Sequence, residues 1–303
     1  MSGRRSRPQS CDMDAWEQHR RYLFAVAYRL LGSVADAEDA VQEAYLRLWA
    51  GAPADLASPR AWLTTVTSRI CLDMLGSARA RRETYPGTWL PDPLIGHDDA
   101  DLGETTVMRE SVRTAVLLVL ESLSPAERVA FVLHDVFGMD FDRLATVVGR
   151  TPAACRQLAS RARRRVRAEA PPRAPVSTGE HQRVTAAFLR AAADGDLTEL
   201  VGLLDPQVVL RSDGGGEVLA ARVPVYGPQR VATLLAGVRR RYAGVLARPV
   251  RLAGGDGFVL ELHAAVIGVL GLELVDGRIT ELNLLVNPAK LTRIARYWHD
   301  VRH

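Results

Sequence analysis

The segment from Asp140 to Ala168 constrains this chain more than any other. A short apolar-periodic stretch, Asp140 to Val148, ends at Gly149, and Thr151-Pro152 then supplies a cap and a first-turn proline for a long helix running to about Ala168. Short helix, glycine turn and long helix, in that order, are the length pattern of a helix-turn-helix. On a 3.6-residue period Cys155, Leu158, Ala162 and Val166 share the inward side, whereas Ala153, Arg156, Gln157, Ser160, Arg164 and Arg167 share the outward side. Small side chains near the start of that face permit close approach to a major groove. Arg156 and Gln157 can each make two hydrogen bonds to a base edge, and the later arginines suit phosphates. Arg161, Arg163 and Arg165 flank the face, so six arginines fall within the twelve residues from Arg156 to Arg167. Coinciding with the turn and the caps, the cluster reads as a DNA-contacting surface with salt-dependent affinity rather than as a solvated terminus whose cations only oppose the helix dipole.

The rest of the chain divides into stretches of different texture. Its 303 residues, 48% of them hydrophobic, suffice for two or three small domains. Ala15 to Leu31 has helical periodicity and is interrupted by Gly32-Ser33; Asp36 is then expected to cap a helix with a broad apolar face of Ala40, Val41, Ala44, Tyr45, Leu48 and Trp49. Glu38, Asp39, Gln42, Glu43 and Arg47 are left for its polar side. Ser58-Pro59 opens a further helix with Trp62, Leu63, Val66, Ile70 and Met74, in which Trp62 reads as core. Gly87 to Gly103 is linker-like, a second helical unit starts near Thr106, and Ser124-Pro125-Ala126-Glu127 has the form of a capping box. The expected boundaries are 11–83 and 106–170 for the helical domains, 84–105 and 171–177 for linkers, 178–291 for a third domain, and 292–303 for a tail.

That third domain reads as α+β, a sheet curled into a cone around a pocket. Helices at Glu180 to Ala193, Thr198 to Leu204 and Gly227 to Tyr242 alternate with strands at Val208 to Arg211, Pro249 to Leu252, Gly257 to Val269 with an irregularity, and Leu272 to Val286 broken at Asp276-Gly277. Asp205, Asp213, Glu261 and His263 are the polar groups with potential for acid/base work, but no compact motif joins them. Asp205 precedes Pro206 in a turn, Asp213 begins a glycine turn with Gly214 to Gly216 as a flexible hairpin, and His263 in an apolar strand reads as a core residue, so no enzyme is expected.

No stretch is long and apolar enough to cross a bilayer, and the basic start, Met1 to Ser10, has no apolar core behind it, which points to the cytoplasm without membrane attachment. Cys11, Cys71 and Cys155 lack metal-ligand spacing; neither a metal nor a cofactor is expected. Lys290 is the only lysine against 38 arginines, so arginine identity by itself carries little weight.

Leu30-Leu31-Gly32-Ser33, the run Asp36 to Trp49, Arg60-Ala61-Trp62-Leu63 and Arg69-Ile70-Cys71-Leu72-Asp73 resemble the second conserved region of bacterial sigma factors of the extracytoplasmic-function type. Leu123 to Arg165 resembles their fourth region. The resemblance implies that the acidic helix docks on the clamp helices of the RNA polymerase β' subunit through Asp39, Gln42, Glu43 and Arg47. It implies that the stretch from about Asp55 to Arg82 melts and captures the −10 promoter element, with Arg60, Thr64, Ser68, Arg69 and Arg79 as candidates. The helix-turn-helix would read the −35 element through Ala153, Arg156, Gln157, Ser160, Arg161, Arg163, Arg164 and Arg167.

Trp89-Leu90-Pro91-Asp92-Pro93-Leu94, Asp213-Gly214-Gly215-Gly216 and Asn287-Pro288-Ala289-Lys290-Leu291 resemble signatures of the subgroup that carries a C-terminal SnoaL-like extension. The implied fold is two all-α sigma domains followed by an α+β SnoaL/NTF2-like cone. Implied as well is control in cis through Trp89, Pro91, Asp92, Asp213, Asn287, Pro288, Lys290 and Leu291, without a separate membrane anti-sigma partner. Ala289 departs from the pattern, which has an acidic residue there. Two other readings stand beside this one: a repressor with a ligand-sensing C-terminal domain, which the acidic helix disfavours, and SnoaL-like catalysis in that domain.

Overall fold

The computed structural model describes residues 10–51, 58–95, 111–170, 178–253 and 255–302. Two compact units emerge: residues 1–79, 100–111 and 119–169 form one, and 80–99, 112–118 and 170–303 form the other.

The first unit is helical: α1 (Ser10–Leu31), α2 (Val34–Gly51), α3 (Pro59–Glu83) up to Arg79, the second half of α4 (Thr114–Ser122), α5 (Pro125–Ala130), α6 (Phe141–Val148) and α7 (Pro152–Glu169). Gly32, at φ 67°, closes α1 by donating its N–H to Tyr28 O at 2.7 Å. The cap of α2 is Ser33, whose Oγ accepts from Asp36 N at 3.3 Å. Asp36 is therefore not the cap; α2 starts at Val34 and places it in the first turn, where a carboxylate still favours the helix dipole. Leu23, Val26, Ala27 and Leu30 of α1 are buried with Ala37, Ala40, Val41 and Ala44 of α2, whose small side chains let the two helices approach closely.

Ser124 and Glu127 form the expected capping box of α5. Past Ala130 the helix widens into a π-helical turn, Phe131–Val136, which local sequence did not signal; Met139 N donates to Leu133 O at 2.8 Å as it closes. Asp140 Oδ1 caps α6 by accepting from Arg143 N at 2.8 Å, Gly149 ends it at φ 69°, and Thr151 Oγ1 caps α7 by accepting from Ala154 N at 3.2 Å. The helix-turn-helix is thus built by the residues that signalled it. Within this unit the end of the π-helical turn packs on α1: the Tyr22 and Phe137 rings meet edge to face at 5.4 Å, and burial of the Arg29 guanidinium beside Phe137 lowers its pKa to about 10.

The second unit is a six-stranded sheet in the order β2-β1-β6-β5-β4-β3, with β1 (Leu204–Asp213), β2 (Val225–Tyr226), β3 (Leu246–Leu252), β4 (Gly255–Leu262), β5 (Ala265–Val275) and β6 (Arg278–Leu285). All neighbours are antiparallel except β1 and β6. Four helices accompany the sheet: α8 (Thr178–Asp194), α9 (Leu197–Leu203), α10 (Pro228–Arg241) and α11 (Pro288–Arg302).

Both sheet faces are covered. Phe188, Leu200 and Val231, from α8 to α10, pack with Phe258, Leu272 and Leu282 on one face. On the other, Leu291, Ile294 and Trp298 of α11 pack with Val259, Val269 and Leu285. The stretch 292–302, expected as a tail, is this helix; its apolar residues at i, i+3 and i+7 bury one stripe. The expected strand Gly257 to Val269 is β4, a turn and the start of β5. His263 and Ala264 turn the chain at φ 50° and 64°, a two-residue hairpin turn made without the glycine or asparagine that usually announces one. Among the described residues no helix is long and apolar enough to cross a membrane.

Candidate functional site

On α7, Cys155, Leu158, Ala159, Ala162 and Val166 are buried, while Ala153, Arg156, Gln157, Ser160, Arg161, Arg164 and Arg167 are exposed, as the helical period requires. The cations on that face are not equivalent. Arg161 Nε donates to Glu127 Oε1 at 2.8 Å, Arg163 Nε to Asp135 Oδ1 at 2.5 Å, and Arg165 Nε to Glu169 Oε1 at 2.9 Å. Asp135 comes from the π-helical turn and pushes the Arg163 pKa up through that hydrogen bond. Burial pushes the Glu127 carboxyl up, but hydrogen bonds from Ser124 and Arg161 outweigh it and hold it below its usual value. Arg163 is thereby half-buried and locally neutralised, which corrects its place as an open phosphate contact, whereas Arg164 and Arg167 form no ion pair among the described residues. The Arg156 guanidinium lies 5.2 Å from the Phe141 ring centroid, steadied at the start of the face.

On α2, Asp39 and Gln42 are exposed, and Glu43 is held by Arg47 Nε at 3.0 Å. Leu46 and Trp49 are 54% and 48% exposed, so Trp49 does not belong to the inward face expected for it. Asp39, Gln42, Leu46 and Trp49 recur at spacings of 3, 4 and 3 and form one outward stripe, half polar and half apolar. That spacing is the signal by which Leu46 could have been found.

Candidates for the −10 element separate by burial. Arg60 and Arg69 are exposed; Arg60 stacks 3.9 Å from the Tyr22 ring centroid, and Arg69 Nη2 donates to Thr146 O, at the end of α6, at 2.7 Å. Thr64 is buried and donates to Arg60 O at 2.7 Å, and Ser68 has no exposed surface. Both share the inner side of α3 with Cys71 and Leu75, so neither hydroxyl reaches solvent or DNA in this conformation. Arg79 lies in α3 but its side chain is outside the described residues, as is the loop 52–57 before the helix.

The three motifs of the second unit, far apart in sequence, meet at one carboxylate. Asp213, at the end of β1 and with no exposed surface, accepts from Tyr85 Oη at 2.5 Å, Leu90 N at 3.0 Å, Gly215 N at 3.1 Å and Lys290 Nζ at 3.0 Å. Lys290 Nζ also donates to Leu90 O, lies 3.6 Å from Asp92 Oδ1 and sits 4.3 Å above the Trp89 ring. Asn287 Nδ2 donates to Tyr85 Oη at 2.7 Å, while its Oδ1 accepts from Ala289 N at 3.0 Å. Burial, then the Asp213 carboxylate beside it, push the Tyr85 hydroxyl pKa up. Leu90, Pro91 and Leu291 are buried around this cluster; Pro288 and Ala289 are exposed, and Ala289 joins it only through its N–H.

The glycine run is a packed turn and not a flexible hairpin. A Cβ on Gly215 would stand 2.7 Å from the Asn287 amide, and one on Gly216 would stand 2.5 Å from Pro86. Further along the same linker, Ala253 N donates to Leu94 O at 2.9 Å and Ile95 bridges to Leu252, extending the β3 edge. Residues 85–95 are therefore held along their length by the sheet domain.

A cavity of about 970 Å³ opens between α8, α10, α11 and the sheet, and none of Asp205, Asp213, Glu261 or His263 lines it. Asp205 accepts from Gln207 N at 2.8 Å in a turn, as expected. Buried Glu261 accepts from Trp298 Nε1 at 2.7 Å and Arg248 Nε at 3.2 Å and fastens α11 to the sheet. His263 is exposed at the tip of the β4–β5 turn, not in the core.

The Sigma-70 region 2 profile matches residues 15–81 and the Sigma-70 region 4 profile matches residues 113–166. The ECF RNA polymerase sigma factor SigJ of Mycobacterium tuberculosis is 42% identical over 292 residues, covering 93% of each chain. The probable ECF RNA polymerase sigma factor SigI of the same species is 39% identical over 286 residues, covering 91% of this chain and 93% of SigI. The crystal structure of M. tuberculosis SigJ matches with a TM-score of 0.74 at 37% identity, over 92% of this chain and 98% of that one. Likeness of this extent places the chain in the family of extracytoplasmic-function RNA polymerase sigma factors. The match to SigJ spans the α+β sheet domain as well as the two sigma regions.

Proposed function

We propose that this chain binds core RNA polymerase through the outward stripe of α2, directs it to one promoter class through α3 and α7, and is restrained in cis by its sheet domain. The observation that carries the restraint is the convergence of Tyr85, Leu90 and Lys290 on Asp213. Residues 85–95 join the two sigma regions in sequence, so fixing them to β1 and α11 limits the separation those regions need to engage the −10 and −35 elements together. A fused clamp acts at an effective concentration far above that of a separate inhibitor, so no membrane anti-sigma partner is required. The hydrogen bond from Arg69 to Thr146 O supports the same reading, because it occupies a −10 candidate with the helix-turn-helix. Polymerase and promoter place this activity in the cytoplasm. An operator-binding repressor would leave the exposed Leu46 and Trp49 unexplained, and catalysis is disfavoured because no aspartate, glutamate or histidine among the described residues lines the cavity. Promoter-specific transcription with purified core polymerase tests the proposal.

Specificity on this account lies at the start of α7. Arg156→Ala or Gln157→Ala should cost about 1–3 kcal/mol at cognate −35 sequences and change the ranking of altered ones. Arg164→Gln and Arg167→Gln should weaken all promoters evenly and each reduce the salt slope by about one. Arg163→Gln should change that slope less, because Asp135 already neutralises it. Holoenzyme binding to a promoter panel at several salt concentrations separates these classes; equal losses everywhere from all five variants would assign Arg156 and Gln157 to phosphate contact.

A further inference from the structure

The cavity in the sheet domain has a chemical bias that neither promoter recognition nor the clamp uses. Its walls are apolar: Phe188 and Leu189 from α8, Leu235 from α10, Phe258 and Leu260 from β4, and Leu284 from β6. No aspartate, glutamate or histidine lines it, whereas Arg239 and Arg240, at the end of α10, do. Both arginines are exposed and form no ion pair among the described residues. At about 970 Å³ the space matches the upper range of small-molecule pockets, about 300–1,000 Å³. An apolar chamber with cationic groups and no anionic ones in its lining is complementary to a hydrocarbon body with an anionic head.

We infer that this cavity binds one amphiphilic carboxylic acid, its hydrocarbon part within and its carboxylate at Arg239 and Arg240. The site also adjoins the clamp. Pro288, Leu291 and Thr292 line the cavity, while Asn287 and Lys290, interleaved with them in the first turn of α11, hold Tyr85, Leu90 and Asp213. Because the cavity exists with that turn docked, a ligand that fills it favours the docked state, and the clamp in turn favours the ligand. This coupling rests on the reading of cis restraint; binding itself does not.

Dodecanoate, below its micelle concentration, is the probe, and full-length protein the target. Saturable binding of one molecule per chain is expected, with affinity reduced about tenfold in Arg239→Gln/Arg240→Gln and at least tenfold in Ala192→Phe, which places a ring in the cavity. Dodecyltrimethylammonium, with the same tail and the opposite charge, should bind at least tenfold more weakly. Absence of saturable dodecanoate binding, equal binding of the cationic amphiphile, or undiminished binding by the folded double-arginine variant overturns the site. In parallel, dodecanoate should lower promoter-specific transcription by the intact chain, and Lys290→Ala should weaken dodecanoate binding. Normal binding with neither effect overturns the coupling and leaves the site standing.

Discussion

Asp213→Ala is expected to destabilise the sheet domain by about 3–5 kcal/mol, because it strips the acceptor from a buried cluster and leaves the donors in place. Leu90 N–H, Tyr85 Oη and Lys290 Nζ all lose the same partner. Lys290 retains 14% side-chain exposure and Asp92 as a second partner, which moves the expected value toward the lower end of that range. Urea unfolding of wild type and variant measures the loss. Asp213→Asn, which preserves shape but keeps only one of the two acceptor oxygens and removes the charge, should fall between them. A loss below about 1 kcal/mol in Asp213→Ala would mean that the cluster contributes no more than an exposed ion pair.

The second large effect is expected at α2. Leu46→Ala/Trp49→Ala should weaken core-polymerase binding by at least about 2 kcal/mol, roughly thirtyfold, because exposed aromatic and aliphatic anchors dominate interface energetics when a partner covers them. Each side chain is about half exposed, so the fold should be little affected, by about 0.5 kcal/mol. Titration of purified core polymerase with labelled protein reads the change. Unaltered affinity in the double variant would move the docking surface away from this stripe.

Features decided within one or two helical turns were legible from sequence. Ser124 and Glu127 announced a capping box, Thr151-Pro152 and Gly149 bounded α7, and the period of α7 separated its buried from its exposed residues. Where the deciding partner is distant, sequence reading fell short. Thr64 and Ser68 are polar and lie on a cationic helix, but packing turns them inward with Cys71. Arg163 looked like its neighbours until Asp135, from another helix, reached it.

The hairpin turn at His263-Ala264 was hidden for a different reason: both residues adopt positive φ, yet neither is the glycine or asparagine that usually marks such a turn. At the three motifs proposed to be regulatory, sequence resemblance named the residues but not their geometry. Trp89 to Leu94, Asp213 to Gly216 and Asn287 to Leu291 share one buried carboxylate, and Tyr85 and Pro86, outside all three motifs, complete the contact. Ala289 is exposed there and adds only its N–H, so the missing acid removes nothing from the buried cluster.

Promoter-specific transcription by purified core polymerase, comparing the intact chain with Lys290→Ala, tests the central claim most directly. Lys290 touches Leu90, Asp92, Asp213 and Trp89 and is itself part of neither α3 nor α7, so its loss should loosen the linker without altering the residues proposed to bind the promoter. The account predicts transcription from one promoter class by both proteins, with several-fold higher output from Lys290→Ala at unchanged promoter preference. Equal output from both proteins would contradict restraint by the sheet domain, and no core-dependent transcription from any promoter by either would contradict the proposed function as a whole.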